Sequence, residues 1–192
     1  LGIGVQGLAD TFAMMDLAWE CEDARKLNSD IFETMYYAAV SESVELAKKD
    51  GKYEVFDGSP ASKGLLQFDL WSQEKVEKQF DEISKTNPDI TIDFLRNSQR
   101  FRSNRYDWNE LKENVKKYGM RNSLLIALMP TASSAHILGN TEAFEAPTQL
   151  IYARTTLSGQ FVVNNQHMVK DLQDIDMWTT DVVRQIISNK GS

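Results

Sequence analysis

The sequence predicts an α/β fold on three observations. Several segments repeat apolar residues at helical spacing, which is typical of amphipathic helices. One run, NSLLIALMP (residues 122–130), is apolar without alternation, as in a strand buried on both faces of a parallel sheet. A third stretch, residues 149–165, contains two strand-like segments around a turn at Leu157 to Gly159. Helices that alternate with buried strands are typical of the α/β class.

The first half of the chain is predicted to be mostly helical. A first helix begins after Gly7, and its apolar face is formed by Leu8, Phe12, Met15 and Trp19. The second helix runs from about residue 24 to residue 49, and Gly51 is a natural C-cap. Residues 55–64 are rich in Gly, Ser and Pro and predict a loop. Residues 72–85 are charged and amphipathic and predict a third helix.

The second half is predicted to mix helices with strands. Asp107 should cap a helix over residues 108–119, whose lysines lie near its C-terminus where the helix dipole favours them. After the apolar strand at 122–130, the small residues of 131–139 predict a turn into a short helix. The last helix is expected from about residue 178 to 189.

Composition and charge narrow the functional classes. The 192 residues carry 28 acidic and 21 basic side chains, a net charge of −7, which disfavours nucleic-acid partners but leaves room for a local anion site. The single cysteine, Cys21, excludes an internal disulfide framework and a cysteine-rich metal site, and fits a cytoplasmic protein. No apolar run approaches the roughly 18 residues of a membrane helix. Both ends look like cuts through a longer protein.

The opening LGIGVQG spells G-x-G-x-x-G, the pattern of a dinucleotide-binding turn. Carboxylates follow at a suitable distance: Glu20, Glu22 and Asp23. That pattern carries its function only where a strand ends in the glycines and a helix starts from them. No strand precedes Gly2 here, so a nicotinamide or flavin site is an alternative that only the glycine spacing supports.

Other common catalytic patterns are absent from the sequence. His136 and His167, the two histidines, belong to no metal-ligand spacing, so we expect no metal site. The chain has neither a G-x-S-x-G nucleophile elbow nor a P-loop.

The segment MPTASSAHILG (residues 129–139) has the composition of an anion site. It follows the predicted strand, and its small side chains let a ligand approach the backbone. The first amides of a helix lack intrahelical partners and bind anions, and hydroxyls of Thr131, Ser133 and Ser134 could add donors. The alternative is an ordinary N-cap made of Ser and Thr.

Several blocks of the sequence, in the same order, resemble one known family. The blocks are LGIGVQGLADTF, IFETMYY, GSPASKGLLQFDLW, KYGMRNSLLIALMPTASSAHILGN, LSGQFVVNN and HMVKDL. Together they resemble the large, catalytic subunit of class I ribonucleotide reductases of the eukaryotic and large-virus type. In that family the GIGVQG-like segment belongs to the scaffold and is no cofactor site.

The resemblance implies a fold and an activity. The family fold is a ten-stranded α/β barrel, of which this chain would be a part, incomplete at both ends and occupying residues 1–192. The family reduces ribonucleoside diphosphates to deoxyribonucleotides by radical chemistry, which serves DNA replication. It relies on a radical-generating metal-containing small subunit and a thiol reductant. The family's phosphate-binding turn maps to Pro130, Thr131, Ala132, Ser133 and Ser134.

Departures from the family set further expectations. The N-x-C-x-E stretch with the radical cysteine and the redox cysteine pair are missing, so the chain holds no catalytic residue and should be inactive alone. Tyr36 and Tyr37 are adjacent, as radical-relay tyrosines are, but their mid-helix position predicts core packing. Residues 86–105, with four arginines, look like a surface insertion. A non-catalytic phosphate-binding or scaffold protein derived from half a barrel is the alternative.

Overall fold

The computed structural model describes residues 2–70, 85, 103 and 105–191. The chain divides into two compact units, a helical unit (Leu1–Gly2 and Lys26–Ala127) and a hairpin unit (Ile3–Arg25 and Leu128–Ser192). The helices in the described ranges are α1 (Leu8–Met14), α2 (Glu22–Asp50), α3 (Gln67–Leu70), α4 (Trp108–Tyr118), α5 (Ala132–Leu138), α6 (Gln166–Asp174) and α7 (Thr180–Ser188). A 3-10 turn occupies Ala61–Lys63, and the strands are β1 (Ile151–Thr156) and β2 (Gly159–Asn164).

The helical unit is built around the indole of Trp108, at the start of α4. Its ring lies 4.9 Å from Phe68, 5.1 Å from Tyr37 and 5.9 Å from Tyr36, measured between centroids. Aromatic pairs at these separations add to the stabilisation given by buried area. The rest of the buried core comes from α2, α4 and the connecting segments: Val40, Val44, Phe56, Leu66, Leu111, Val115 and Met120. Tyr36 and Tyr37 therefore pack against the core, as their place within a helix predicts.

Glu33 is a charged side chain inside the helical unit, only 2% exposed. Its carboxylate accepts the indole N–H of Trp108 at 2.9 Å and the backbone N–H of Ser103 at 2.9 and 3.0 Å. A buried carboxylate is stable only when its oxygens are hydrogen-bonded. Glu33 thus fixes the orientation of the central tryptophan and joins α2 to residue 103.

Local capping signals in the helical unit act as predicted. The Asp107 side chain accepts the N–H of Glu110 at 2.9 Å and caps α4, which ends with Lys116 and Lys117. The second helix extends to Asp50, and Gly51 follows in the left-handed region at φ 84°. The C-cap bond runs from Gly51 N to Ala47 O at 2.9 Å.

The first helix of the hairpin unit is shorter than its apolar spacing predicts. Helix α1 ends at Met14 because Asp16 adopts φ 55°, and Leu17 N then bonds back to Phe12 O at 2.9 Å. This is the geometry of a helix stop with a left-handed residue after the C-cap. Trp19 lies beyond the helix and packs edge-on against Phe12 at 5.2 Å.

The hairpin predicted around Leu157 to Gly159 is confirmed. Strands β1 and β2 pair antiparallel from Ile151 with Asn164 to Thr156 with Gly159, leaving a two-residue loop. Asn165 caps α6 by accepting Met168 N at 3.1 Å, a helix that the periodicity analysis did not predict. Thr179 caps α7, which lies within the range predicted for the last helix.

The prediction of a buried parallel strand at 122–130 is wrong for this chain. Within the described residues the sheet consists of β1 and β2, which are antiparallel, and 122–130 belongs to no ladder. Leu124 is 82% exposed, and Leu128 and Met129 are exposed as well. A strand forms only through hydrogen bonds to a neighbour, and no described segment supplies that neighbour. The apolar composition predicts burial but does not provide the partner.

Two sequence predictions fall largely outside the described residues. The charged helix at 72–85 lies outside them except for Lys85, and the insertion at 86–105 lies outside except for Ser103 and Arg105. None of the helices in the described ranges combines the length and the apolar character needed to cross a bilayer.

We predict that Glu33→Ala destabilises the protein more than Glu33→Gln. The alanine variant leaves the buried Trp108 N–H without its acceptor, which costs about 1–3 kcal/mol. Glutamine keeps one acceptor oxygen. Urea unfolding measures the difference, and Glu42→Ala, an exposed position on the same helix, serves as the control, with a change within about 0.5 kcal/mol. Equal effects of Glu33→Ala and Glu42→Ala would contradict the role given to Glu33.

Candidate functional site

The five residues singled out by the sequence lie consecutively where an extended segment enters α5. Thr131 is the N-cap, at φ 55° and ψ 20°, in the left-handed region. A β-branched residue rarely adopts this conformation, since its side chain crowds the backbone there. Such strain persists only where surrounding contacts hold it, and it is concentrated at functional sites. The turn is therefore a specifically held conformation.

The hydroxyl of Thr131 does not act as an ordinary helix cap. Its side chain bonds to no amide of α5, a helix that is described throughout. Instead Thr131 Oγ1 accepts the N–H of Ala143 at 2.9 Å, which ties the turn to the loop after α5. Because the hydroxyl accepts this bond, its own hydrogen can be donated elsewhere. The Thr131 side chain therefore does not make the hydrogen bond expected of an ordinary Ser or Thr N-cap.

The start of α5 presents donors to solvent. Ala132, Ser133 and Ser134 are exposed, whereas Ala135 is buried and donates its N–H to Thr131 O at 2.8 Å. The Ser134 hydroxyl donates to the same Thr131 oxygen at 3.1 Å. First-turn amide groups of a helix have no intrahelical acceptor, so the N–H groups of these three exposed residues can donate to an anion.

The Asp10 carboxylate anchors the loop after α5, and that loop donates a hydrogen bond to Thr131. Its Oδ2 accepts the N–H of Thr141 at 2.6 Å and the Thr141 hydroxyl at 2.8 Å, and its Oδ1 lies 3.1 Å from His167 Nε2. Burial raises the pKa of Asp10, but the donors of Thr141 and the His167 ring lower it by more, so the pKa lies below the usual aspartate value. One carboxylate thus joins α1, the loop after α5 and α6.

A cavity of about 670 Å³ lies at the other end of α5. His136 lines it and is held between Arg154 (2.5 Å, Nη1 to Nδ1) and Glu142 (2.8 Å, Oε1 to Nε2). Asp10 and His167 also line this cavity, whereas none of residues 130–134 does. The turn and this cavity are therefore separate features of the hairpin unit.

The alternative sites suggested by spelling lack the required surroundings. Residues 2–7 form no strand before Gly7, so the dinucleotide pattern has no strand–turn–helix setting in the described chain. The described residues hold no group of three or more side chains suited to a metal ion. Cys21 is half-buried, and its Sγ accepts the N–H of Ala24 at 3.4 Å at the start of α2.

Sequence reasoning missed Asp10, Thr141 and Ala143. The contact between Asp10 and Thr141 joins positions more than a hundred residues apart. The contact between Ala143 and Thr131 spans α5 and the loop after it. Nothing in local spacing indicates such pairs. The acidic residue in the first turn of α1 was visible, but that position alone suggests only a favourable interaction with the helix dipole.

Comparison with known proteins decides the family. A family model described as "Ribonucleotide reductase, barrel domain" matches residues 1–192. The chain belongs to the ribonucleotide reductase barrel-domain family. This confirms the resemblance carried by the sequence blocks, and it assigns the GIGVQG segment to this barrel-domain family.

Several curated relatives of this barrel-domain chain are eukaryotic large subunits. The chain is 50% identical over 192 residues to the ribonucleoside-diphosphate reductase large subunit of Trypanosoma brucei brucei and 47% to that of Plasmodium falciparum (isolate Dd2). It is 43% identical to the Arabidopsis thaliana large subunit. Each match covers 100% of this chain but 20–21% of the relative, so the chain spans about a fifth of their length.

A solved structure supports the fold assignment. The alpha subunit of the Actinobacillus ureae class Id ribonucleotide reductase matches with a TM-score of 0.57 and 22% identity. The match covers 100% of this chain and 24% of that one. The ribonucleotide reductase fold is therefore supported by geometry as well as by sequence.

We predict that the stability contributed by the ionised form of Asp10 is lost at low pH. A carboxyl whose folded pKa is depressed stabilises the fold above its unfolded pKa, near 3.9, and loses that contribution as pH falls through the lower folded value. The gap in unfolding free energy between wild type and Asp10→Asn should be full at neutral pH and shrink below about pH 4.

Chemical denaturation between pH 7 and pH 2.5 measures this gap. Asp171→Asn, at an exposed position on α6, is the control and should show no such dependence. A gap for Asp10→Asn that stays constant over this range would contradict the prediction.

Proposed function

We propose that this chain forms part of a ribonucleoside-diphosphate reductase large subunit, an oxidoreductase that makes deoxyribonucleotides from ribonucleoside diphosphates by radical chemistry. Within that subunit the chain contributes the substrate-phosphate-binding turn, Pro130 to Ser134. Support comes from the family match over the whole chain and from large-subunit relatives at 43–50% identity. A ribonucleoside diphosphate is accordingly the substrate.

The phosphate assignment depends on one observation. Thr131 is held in the left-handed conformation immediately before the exposed first turn of α5. With its side chain committed to Ala143, Thr131 leaves the α5 amides open to a ligand. The N–H groups of the exposed residues 132–134 and the hydroxyl of Ser133 can then donate to phosphate oxygens. Hydrogen bonds to charged oxygens are roughly twice as strong as neutral ones.

The turn binds and orients and does not carry the reaction. Reduction of a ribonucleotide to a deoxyribonucleotide needs two electrons, which a dithiol supplies on forming a disulfide. The single Cys21 cannot provide that pair, and its sulfur accepts a helix N–H. In our proposal the radical cysteine and the redox pair lie in other segments of the large subunit. A metal-containing small subunit generates the radical, and a thiol reductant restores the dithiol.

The same proposal accounts for the exposed apolar segment at 122–130. We propose that in the complete subunit it pairs as a strand of a ten-stranded α/β barrel, with residues 86–105 as a surface insertion. The exposed Leu124, Leu128 and Met129 support this arrangement, because an exposed apolar segment is suited to strand pairing. The complete enzyme is expected in the cytoplasm, without membrane or nucleic-acid partners.

We predict that Ser133→Asp in the complete large subunit weakens diphosphate binding far more than Ser133→Ala. Alanine removes one hydroxyl contact to a charged group, which costs about 1.5–3 kcal/mol, while the backbone amides remain. Aspartate adds volume and places a negative charge against the substrate phosphates. Ser134→Asp should behave in the same way. Equilibrium binding of a ribonucleoside diphosphate measures each effect.

Asparagine at the same position is the matched control. Ser133→Asn adds nearly the same volume as Ser133→Asp without the charge, so the difference between the two reports repulsion, which added salt should reduce. If both aspartate variants bind diphosphate as wild type does, the phosphate assignment is wrong.

We predict that residues 1–192 alone do not reduce any ribonucleotide, with any reductant or small subunit added. The chain has no cysteine pair to deliver two electrons and none matching the radical cysteine of the family. The complete large subunit, assayed beside it, should turn over with its small subunit and a dithiol. Deoxyribonucleotide formed by the isolated chain, detected chromatographically, would contradict the proposal.

A further inference from the structure

Gly4, in the opening glycine pattern, lies against the turn. A Cβ placed on Gly4 would come 2.9 Å from Thr131 Cγ2, and 3.5 and 3.6 Å from Met129 Cβ and Cε. Two carbon atoms prefer about 3.5–4.0 Å, so the first contact is a clash. The backbone of Gly4 is outside the left-handed region, unlike that of Gly7. An alanine therefore fits the backbone at this position, and space is the only constraint.

Thr131 cannot easily move its methyl group away. A β-branched side chain is stiff at χ1, and rotation about χ1 would pull Oγ1 from the N–H of Ala143, 2.9 Å away. The Thr131 carbonyl is held as well, by Ala135 N at 2.8 Å and Ser134 Oγ at 3.1 Å. A methyl group on Gly4 would therefore press directly on the turn.

The opening segment also holds the far side of this arrangement. Gly7 N donates to Thr141 O at 2.9 Å, and Asp10 accepts both donors of Thr141. Two residues later, Ala143 N–H holds the Thr131 hydroxyl. The strained Thr131 therefore lies against Gly4, where a side chain would not fit. On its other side it is hydrogen-bonded to a loop that Gly7 and Asp10 anchor.

We propose that Gly4 is a positioning residue for the substrate-phosphate turn: its lack of a side chain sets where Thr131, and hence the start of α5, is held. The inference rests on the proposed function of the turn. It gives the glycine pattern a role at the phosphate site that is unrelated to dinucleotide binding.

A double-mutant cycle in the complete large subunit tests the proposal. In the wild-type background, Gly4→Ala should raise the Kd for cytidine diphosphate on the order of tenfold, because a displaced turn loses aligned donors. In a Thr131→Ser background, which lacks Cγ2 but keeps the hydroxyl, adding Gly4→Ala should change Kd by no more than about twofold. Hydrogen exchange of the peptide containing Ala143 should be faster in Gly4→Ala and return toward the Thr131→Ser rate in the double variant.

The possible results distinguish failure of this inference from failure of the proposed function on which it rests. If Ser133→Asp abolishes binding but Gly4→Ala leaves Kd unchanged, or weakens it equally in both backgrounds, the role given to Gly4 is wrong and the phosphate turn stands. If Ser133→Asp and Ser134→Asp leave binding intact, the phosphate assignment fails and this inference fails with it. Coupling between Gly4 and Thr131 in both Kd and exchange supports the proposal.

Discussion

The arrangement of the hairpin unit depends on the carboxylate of Asp10. It collects two donors from Thr141 and one ring nitrogen from His167, so that a single side chain joins three segments. The loop fixed in this way supplies the N–H that holds Thr131 in a conformation a threonine otherwise avoids. The helical unit uses the same device at Glu33, whose carboxylate gathers donors from Ser103 and Trp108. In both units a carboxylate joins segments that are distant in sequence, and in the helical unit it does so beside the packed core around Trp108.

The features that could be predicted from sequence are those set by neighbouring residues. Asp107 caps α4, Gly51 ends α2, and the turn at 157–159 makes the hairpin, because each needs only local backbone geometry. The short helix after Thr131 could be predicted for the same reason, since a run of small residues before a helix is a local pattern, while the phosphate role of this turn remains a proposal. Apolar spacing placed Trp19 on α1, but a left-handed Asp16 ends that helix earlier.

The features that could not be predicted depend on partners far away in sequence. The segment 122–130 has the composition of a buried strand, but a strand is defined by its neighbour, and composition does not name one. Asp10 and Glu33 gave no local signal, since an acidic residue on a helix is most often solvated. Gly4 shows the converse case, in which a local pattern is misleading. Its spacing suggested a cofactor turn, whereas its contact with Thr131, 127 positions along the chain, explains why a side chain does not fit.

The phosphate role proposed for the turn is compatible with the net charge of −7 carried by these 192 residues. Residues of net negative charge contribute no long-range attraction to a phosphate group. Backbone N–H groups and hydroxyls act only over hydrogen-bond distance, and they stabilise phosphate oxygens only when several are aligned at once. Alignment therefore matters more here than charge. On the proposed function, a rigid turn around the strained Thr131 would take the place of the lysines or arginines of a basic phosphate site.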